Sequence, residues 1–170
     1  MDRQAVHEQW ERDRVAFHEL VAAATPVDLR RRSDGTRWTN QQLLFHLVFG
    51  YQIVRALLVL VRVFGRLPDP VSRGFAAALN AATRPFHVIN YLGSCGGGLI
   101  GPERAARWLD HIIASLHHNL ERVGEADLAR GMHYPTRWDP FFQPYMTLAD
   151  IYRYPARHFA FHQRQLTLSQ

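Results

Sequence analysis

With 170 residues, 47% of them hydrophobic and 21% charged, the chain has the proportions of a globular protein and the length for a single domain over residues 1–170 with a sizeable core. Its formal charge of +5 comes from basic residues that are mostly scattered, with no basic helix, aromatic stacking motif or zinc-finger spacing, which argues against nucleic acid as a partner. A single cysteine, Cys95, rules out an intramolecular disulfide and suits a reducing, cytoplasmic location.

The first residues, Met1-Asp2-Arg3-Gln4, lack the basic-then-apolar order of an export signal. Arg3 to Ala24 reads as an amphipathic helix, with Val6, Trp10, Phe17, Leu20, Val21 and Ala24 along one apolar stripe. Pro26 ends it, and a turn follows through Ser33-Asp34-Gly35. The run Arg30-Arg31-Arg32, beside Asp28 and Asp34, reads as a solvated helix end or turn. Thr39 is a good N-cap and Gln42 falls three residues later, the spacing of a capping box. The helix it opens is apolar nearly all round from Leu43 to Phe49, so it is expected to be central and buried, ending near Phe64 at Gly65. Its longest apolar stretch, Ile53 to Phe64, is broken by Arg55 and Arg62, and no membrane span is expected.

A loop with Pro68 and Pro70 leads to a weaker helix, Arg73 to Asn90, which Pro85 must kink or end. Leu92 to Gly101 reads as a glycine-rich connector. Pro102 opens the next helix, whose apolar face of Ala105, Leu109, Ile112, Ile113, Leu116 and Leu120 runs to about Val123 before Gly124. Residues 125–146 read as an irregular segment rich in aromatics and prolines, and no strand alternation is evident in the chain. Thr147 caps the final helix, with Asp150 in its first turn, and it runs to about Leu166. Four main helices and one lesser helix predict an all-α four-helix bundle, an architecture that builds metal sites from facing helices.

Three histidines carry the functional signal. His158 and His162 are four apart on a helix, where Cβ atoms lie ~5–6 Å apart and two imidazoles can converge on one ion. Taken alone, the pair reads equally as two ligands or as a chance coincidence among 10 histidines. His46 shifts that balance. It sits among Leu43, Phe45, Leu47 and Phe49, where an imidazole without a partner costs ~1–3 kcal/mol. Three protein ligands with an open position is the pattern of a catalytic metal site, whereas structural zinc sites usually close with four. A glutamate following His158 would be the built-in base of a zincin; Phe159 stands there instead.

At these residues the chain resembles a known family. Trp38-Thr39 followed by Leu43-Leu44-Phe45-His46-Leu47 is similar to the first metal motif of the DinB-like (YfiT-like) proteins, and His158-Phe159-Ala160-Phe161-His162-Gln163-Arg164-Gln165-Leu166 to their C-terminal motif. The similarity covers nearly the whole chain in helix order; the glycine-rich stretch and Trp138-Asp139-Pro140-Phe141-Phe142 match no motif of the family. The resemblance implies an up-down-down-up four-helix bundle with an additional short helix, a divalent metal held by His46, His158 and His162, and a homodimer. It also implies one of two chemistries, thiol-dependent transfer with a low-molecular-weight thiol cosubstrate or metal-dependent hydrolysis, beside members with no known reaction.

A divalent ion on three neutral imidazoles keeps its full charge, can lower the pKa of a bound water to about 7, and can equally hold a thiol as thiolate. No Asp or Glu neighbours the three histidines in sequence, which favours a thiol S-transferase acting on a small electrophilic substrate. A hydrolase using metal-activated water and a non-catalytic metal-binding bundle stay open. All-nitrogen ligation suits Zn, Ni, Fe or Cu. Tyr154, four before His158, is expected on the same face, as a cofactor-binding or core residue, and Pro155 is expected to bend the helix there. Gln42 and Gln165 each lie within a turn of a proposed ligand, as supporting donors or as surface residues. Cys95 reads as part of a flexible connector; His7, His18, His87 and His133 show no pairing. His111, His117 and His118 read as exposed. Trp138, Phe141, Phe142 and Tyr145 are expected to close one end of the bundle or to form a hydrophobic rim.

Overall fold

The computed structural model describes residues 1–169 and is built almost wholly from helices. These are α1 (Arg3–Ala23), α2 (Pro26–Arg30), α3 (Asn40–Phe64), α4 (Asp69–Ala81), α5 (Thr83–Gly97), α6 (Pro102–Glu121), α7 (Glu125–Leu128) and α8 (Leu148–Gln163). Two short strands, β1 (Gly131–His133) and β2 (Tyr145–Thr147), pair antiparallel with Met132 opposite Met146.

The central helix is α3. Its capping box forms as the sequence predicts, with Thr39 Oγ1 accepting from the Gln42 N–H and Gln42 Oε1 accepting from the Thr39 N–H at 2.9 Å. Leu43, Leu47, Val54 and Val61 are fully buried, each worth about 2 kcal/mol of removed apolar surface. The apolar stretch is longer than Ile53 to Phe64. The best 18-residue window of α3 has mean hydropathy 1.9, long and apolar enough to cross a membrane by composition, and 61% of that window is buried inside the fold. Arg55 reaches the exposed surface while α5, α6 and α8 cover the other faces, so the charges do not interrupt the helix.

Side-chain pairs set the relative directions of the long helices. His46 meets His158 and His162 while Arg62 lies beside Tyr152, so α3 and α8 run antiparallel. His7 stacks on His117 and His18 pairs with Asp110, so α1 and α6 do the same. Trp10 meets Tyr152 and Phe17 meets Phe159, so α1 and α8 run the same way.

The structure departs from the sequence reading in four places. The predicted helix Arg73–Asn90 and the glycine-rich connector after it are replaced by α4 and α5, with the break at Ala82. Pro85 lies in the first turn of α5, where its missing N–H is not needed. The glycines extend α5 instead of loosening it: a Cβ at Gly97 would overlap the Phe45 ring, so this helix end rests on α3 only because it lacks one. Pro26 also opens α2, capped by Thr25 with Asp28 completing the box. Finally, residues 125–146 are not wholly irregular: they hold α7, β1 and the start of β2, and strands of three residues each are too short to display an alternation.

Two buried acids lie outside the histidine cluster, Asp28 in the α2 capping box and Asp13. Asp13 on α1 is 5% exposed and accepts from the Tyr51 hydroxyl at 2.6 Å and from Gln9 at 2.8 Å. Burial pushes its carboxyl up from 3.8 to about 6, against those hydrogen bonds. A raised folded-state pKa means the folded protein prefers the protonated acid. Its contribution is therefore complete below pH ~4 and is lost as pH rises through ~6, amounting to about 3 kcal/mol. Asp13→Asn keeps an acceptor for Tyr51 and removes the ionisation. Urea unfolding at about pH 4 and about pH 8 should show the wild type losing stability relative to this variant, and parallel pH profiles would refute the assignment.

Candidate metal centre

The cluster is assembled from two helices. His158 and His162 share one face of α8, which begins at the Thr147–Asp150 capping box and continues through Pro155. His46 faces them from α3. The ring centroids are 5.0 Å apart for His46–His158, 4.7 Å for His46–His162 and 4.5 Å for His158–His162. One nitrogen from each ring lies within 4.8 Å of the others. Nitrogens sharing a tetrahedral zinc at ~2.0–2.1 Å lie roughly 3.3 Å apart, so small ring rotations close the set.

Hydrogen bonds decide which nitrogen each ring offers. Ser94 Oγ gives its only proton to the Asn90 carbonyl at 3.0 Å. It must therefore accept from His46 Nδ1, 3.0 Å away, so His46 carries its proton on Nδ1 and leaves Nε2 as a lone pair. His162 Nδ1 donates to Gln165 Oε1 at 2.6 Å, with the same consequence. Outer partners of this kind fix the tautomer and ring plane of a ligating histidine. His158 Nδ1 is buried without a hydrogen-bond partner among the described residues and lies against Gly50. His46 and His158 are each 4% exposed.

All three rings are held neutral, the form a metal needs. Burial pushes His46 down to about 3, with His162 adding to the effect. It pushes His158 well below the ordinary value, helped by both neighbours. His162 is lowered by burial against the Gln165 hydrogen bond and the Asp139 charge. Two free Nε2 lone pairs, three neutral imidazoles and one orphaned buried nitrogen fit a divalent ion with open positions.

A cavity of about 250 Å³ opens from the histidines. Its walls include Phe49, Ile53 and Leu60 of α3, Phe75 and Leu79 of α4, Phe86 of α5 and the segment from Tyr134 to Phe142. Trp138 stacks on Phe86 at 3.9 Å and donates to the Leu79 carbonyl at 2.7 Å, joining that segment to α4 and α5. Trp138, Phe141 and Phe142 line the cavity; Tyr145 does not, being 46% exposed on β2 against His133.

The sequence reading missed Asp139, which lines the same cavity. Its Oδ1 accepts from the Phe141 N–H at 2.7 Å and its Oδ2 from the Tyr154 hydroxyl at 2.8 Å. Burial raises its pKa, opposed by those bonds and by His162. Tyr154 is buried as well, four residues before His158 with ring centroids 5.8 Å apart. An acidic group thus does stand in the site, brought there by an irregular segment instead of a neighbouring position. Of the two glutamines, Gln165 reaches His162, whereas Gln42 is used in its cap. Cys95 is half-buried on α5 and is not among the residues lining the cavity.

Five of the seven remaining histidines have partners that the sequence reading does not assign. His7 stacks on His117, which pairs with Glu11; His18 pairs with Asp110 at 2.8 Å and His133 with Asp69 at 2.9 Å. His111 caps its own helix turn through the Arg107 carbonyl.

A family model described as the DinB superfamily matches residues 9–166. No curated protein and no solved structure matches the chain.

Proposed function

Because the chain belongs to the DinB superfamily, we propose that it is a divalent-metal-dependent enzyme acting on a small molecule, with His46, His158 and His162 as the ligands. The observation that carries this is the convergence of three histidine rings at the head of an apolar cavity, with Nε2 of His46 and His162 left free because Ser94 and Gln165 take their Nδ1 protons. Zinc, nickel and iron all suit three imidazoles. When bound, the ion supplies Lewis acidity at an open position, where a water or a thiol becomes more acidic. The protein's own groups do the rest. Tyr154 orients Asp139, Asp139 can accept or return a proton beside His162, and the aromatic walls exclude water.

The reaction proposed first is transfer of a low-molecular-weight thiol to a small electrophile. Hydrolysis is the second reading, favoured by Asp139, which supplies the acid/base group that sequence neighbours of the histidines do not. The antiparallel pairings of α3 with α8 and of α1 with α6 support an up-down-down-up four-helix bundle of one domain over residues 1–170. We further propose a homodimer, on the exposed apolar side chains Val88, Ile89 and Leu92 of α5, and a cytoplasmic location, on the unpaired Cys95.

The test is a panel of thiols with an activated aryl halide, run on metal-loaded protein purified without a histidine tag. Thiol consumption above background that disappears on chelation is expected. Ester cleavage without thiol consumption would move the assignment to hydrolysis, and neither activity would leave a non-catalytic metal-binding bundle.

A further inference from the structure

The cavity walls say what kind of molecule enters. Its lining includes no arginine, although the chain has 20 of them. Phe49, Phe75, Phe86 and Phe161 present aromatic faces, and Ile53 and Leu60 aliphatic ones. A charged group moved from water into such surroundings without a counter-charge is strongly disfavoured. The only carboxylate in the lining, Asp139, accepts one hydrogen bond at each oxygen from its own chain, and it would repel a second carboxylate. Tyr134 also lines the cavity, is 3% exposed, and has a hydroxyl without a hydrogen-bond partner among the described residues. A volume of about 250 Å³ falls just below the ~300–1,000 Å³ of most ligand sites.

We propose that the molecule taken by this cavity has one metal-seeking head and a small, uncharged, largely apolar body, with room for a single neutral hydrogen-bonding group at Tyr134. The inference rests on the metal reading for the head alone; the body follows from the walls. It narrows the proposed chemistry. A thiol whose body carries carboxylates does not enter this cavity, so a thiol bound here has a neutral body, as does the electrophile or ester.

The experiment uses two probes on the full chain. A neutral fluorescent dye, N-phenyl-1-naphthylamine, reports on the cavity in metal-free and zinc-loaded protein. Three hydroxamates of matched length, ending in phenyl, carboxylate or trimethylammonium, then compete with the dye, and their affinities for the zinc-loaded form are measured by calorimetry. The dye should bind both forms, the phenyl hydroxamate should displace it, and the carboxylate should bind at least ~100-fold more weakly. Leu79→Arg, which places a cation in the wall, should narrow that gap, while Leu79→Asn, of similar size and uncharged, should leave it. Equal binding of phenyl and carboxylate tails would overturn the proposal, as would strongest binding of the cationic tail, which would make Asp139 and the rings a cation site. Failure of zinc to bind while the dye is still displaced by phenyl ligands would refute the metal reading and leave the body reading standing. Zinc binding without dye binding would do the reverse.

Discussion

His46→Ala is expected to fold and to purify with less than about a tenth of the divalent metal that the wild type carries, which should be close to one ion per chain. His46 is the only one of the three histidines on α3; without it the ion keeps just the two imidazoles of α8. The folding penalty should be modest. Ser94 still donates to the Asn90 carbonyl and loses only the bond it accepted, about 1–2 kcal/mol. The larger difference appears with metal present. An ion bound only by the folded state at about 1,000 times its Kd adds about 4 kcal/mol, so zinc should raise the wild-type melting temperature and leave that of His46→Ala unchanged. Ser94→Ala keeps all three imidazoles but releases the His46 tautomer, and a loss of ~10–100-fold in zinc affinity is expected. Elemental analysis and competition with a chelator measure both variants. Full metal content in His46→Ala would remove His46 from the site.

These histidines were readable from the sequence for a specific reason. A spacing of four on a helix determines a shared face, and an imidazole inside an apolar run must find a partner. Both are local facts, as are the capping boxes at Thr39 and Thr147 that position the helices carrying the site. Asp139 was not readable, because residues 134–142 have no period from which a direction can be inferred. The segment is placed by long-range contacts such as Trp138 on Phe86. Partners on distant helices stayed hidden in the same way, His7 with His117 being the clearest case. The glycine run misled in the opposite sense. Glycine has low helix propensity, but at Gly97 its missing side chain allows helix-to-helix contact with Phe45, and the packing outweighs the propensity.

The same physics, applied at Gly50, gives the sharpest separation between folding and metal binding. Gly50 lies on α3 one turn after His46, and a Cβ there would overlap Nδ1 and Cε1 of His158. In Gly50→Ala one of the two must give way, and the imidazole is the easier to move because it turns about its own side-chain bonds. For the metal-free protein the effects offset. Alanine gains about 1 kcal/mol over glycine in a helix interior, while the forced displacement costs ~1–3 kcal/mol. Net stability should change by no more than about 2 kcal/mol. The site has no such compensation, because a displaced His158 ring carries its nitrogen away from the point that His46 and His162 face. A misplacement of about 1 Å can cost ~100-fold where geometry decides function, and zinc affinity should fall by at least that much. Gly74→Ala is the control. It lies exposed on α4, and its added Cβ would meet no atom within 4 Å. It should gain about 0.4–1 kcal/mol in stability and bind zinc as the wild type does. Urea unfolding in the presence of a chelator, paired with zinc competition titrations, separates the two quantities. Wild-type zinc affinity in Gly50→Ala would mean that His158 does not need its place against Gly50 to join the other two, and the two-helix geometry of the site would have to be redrawn.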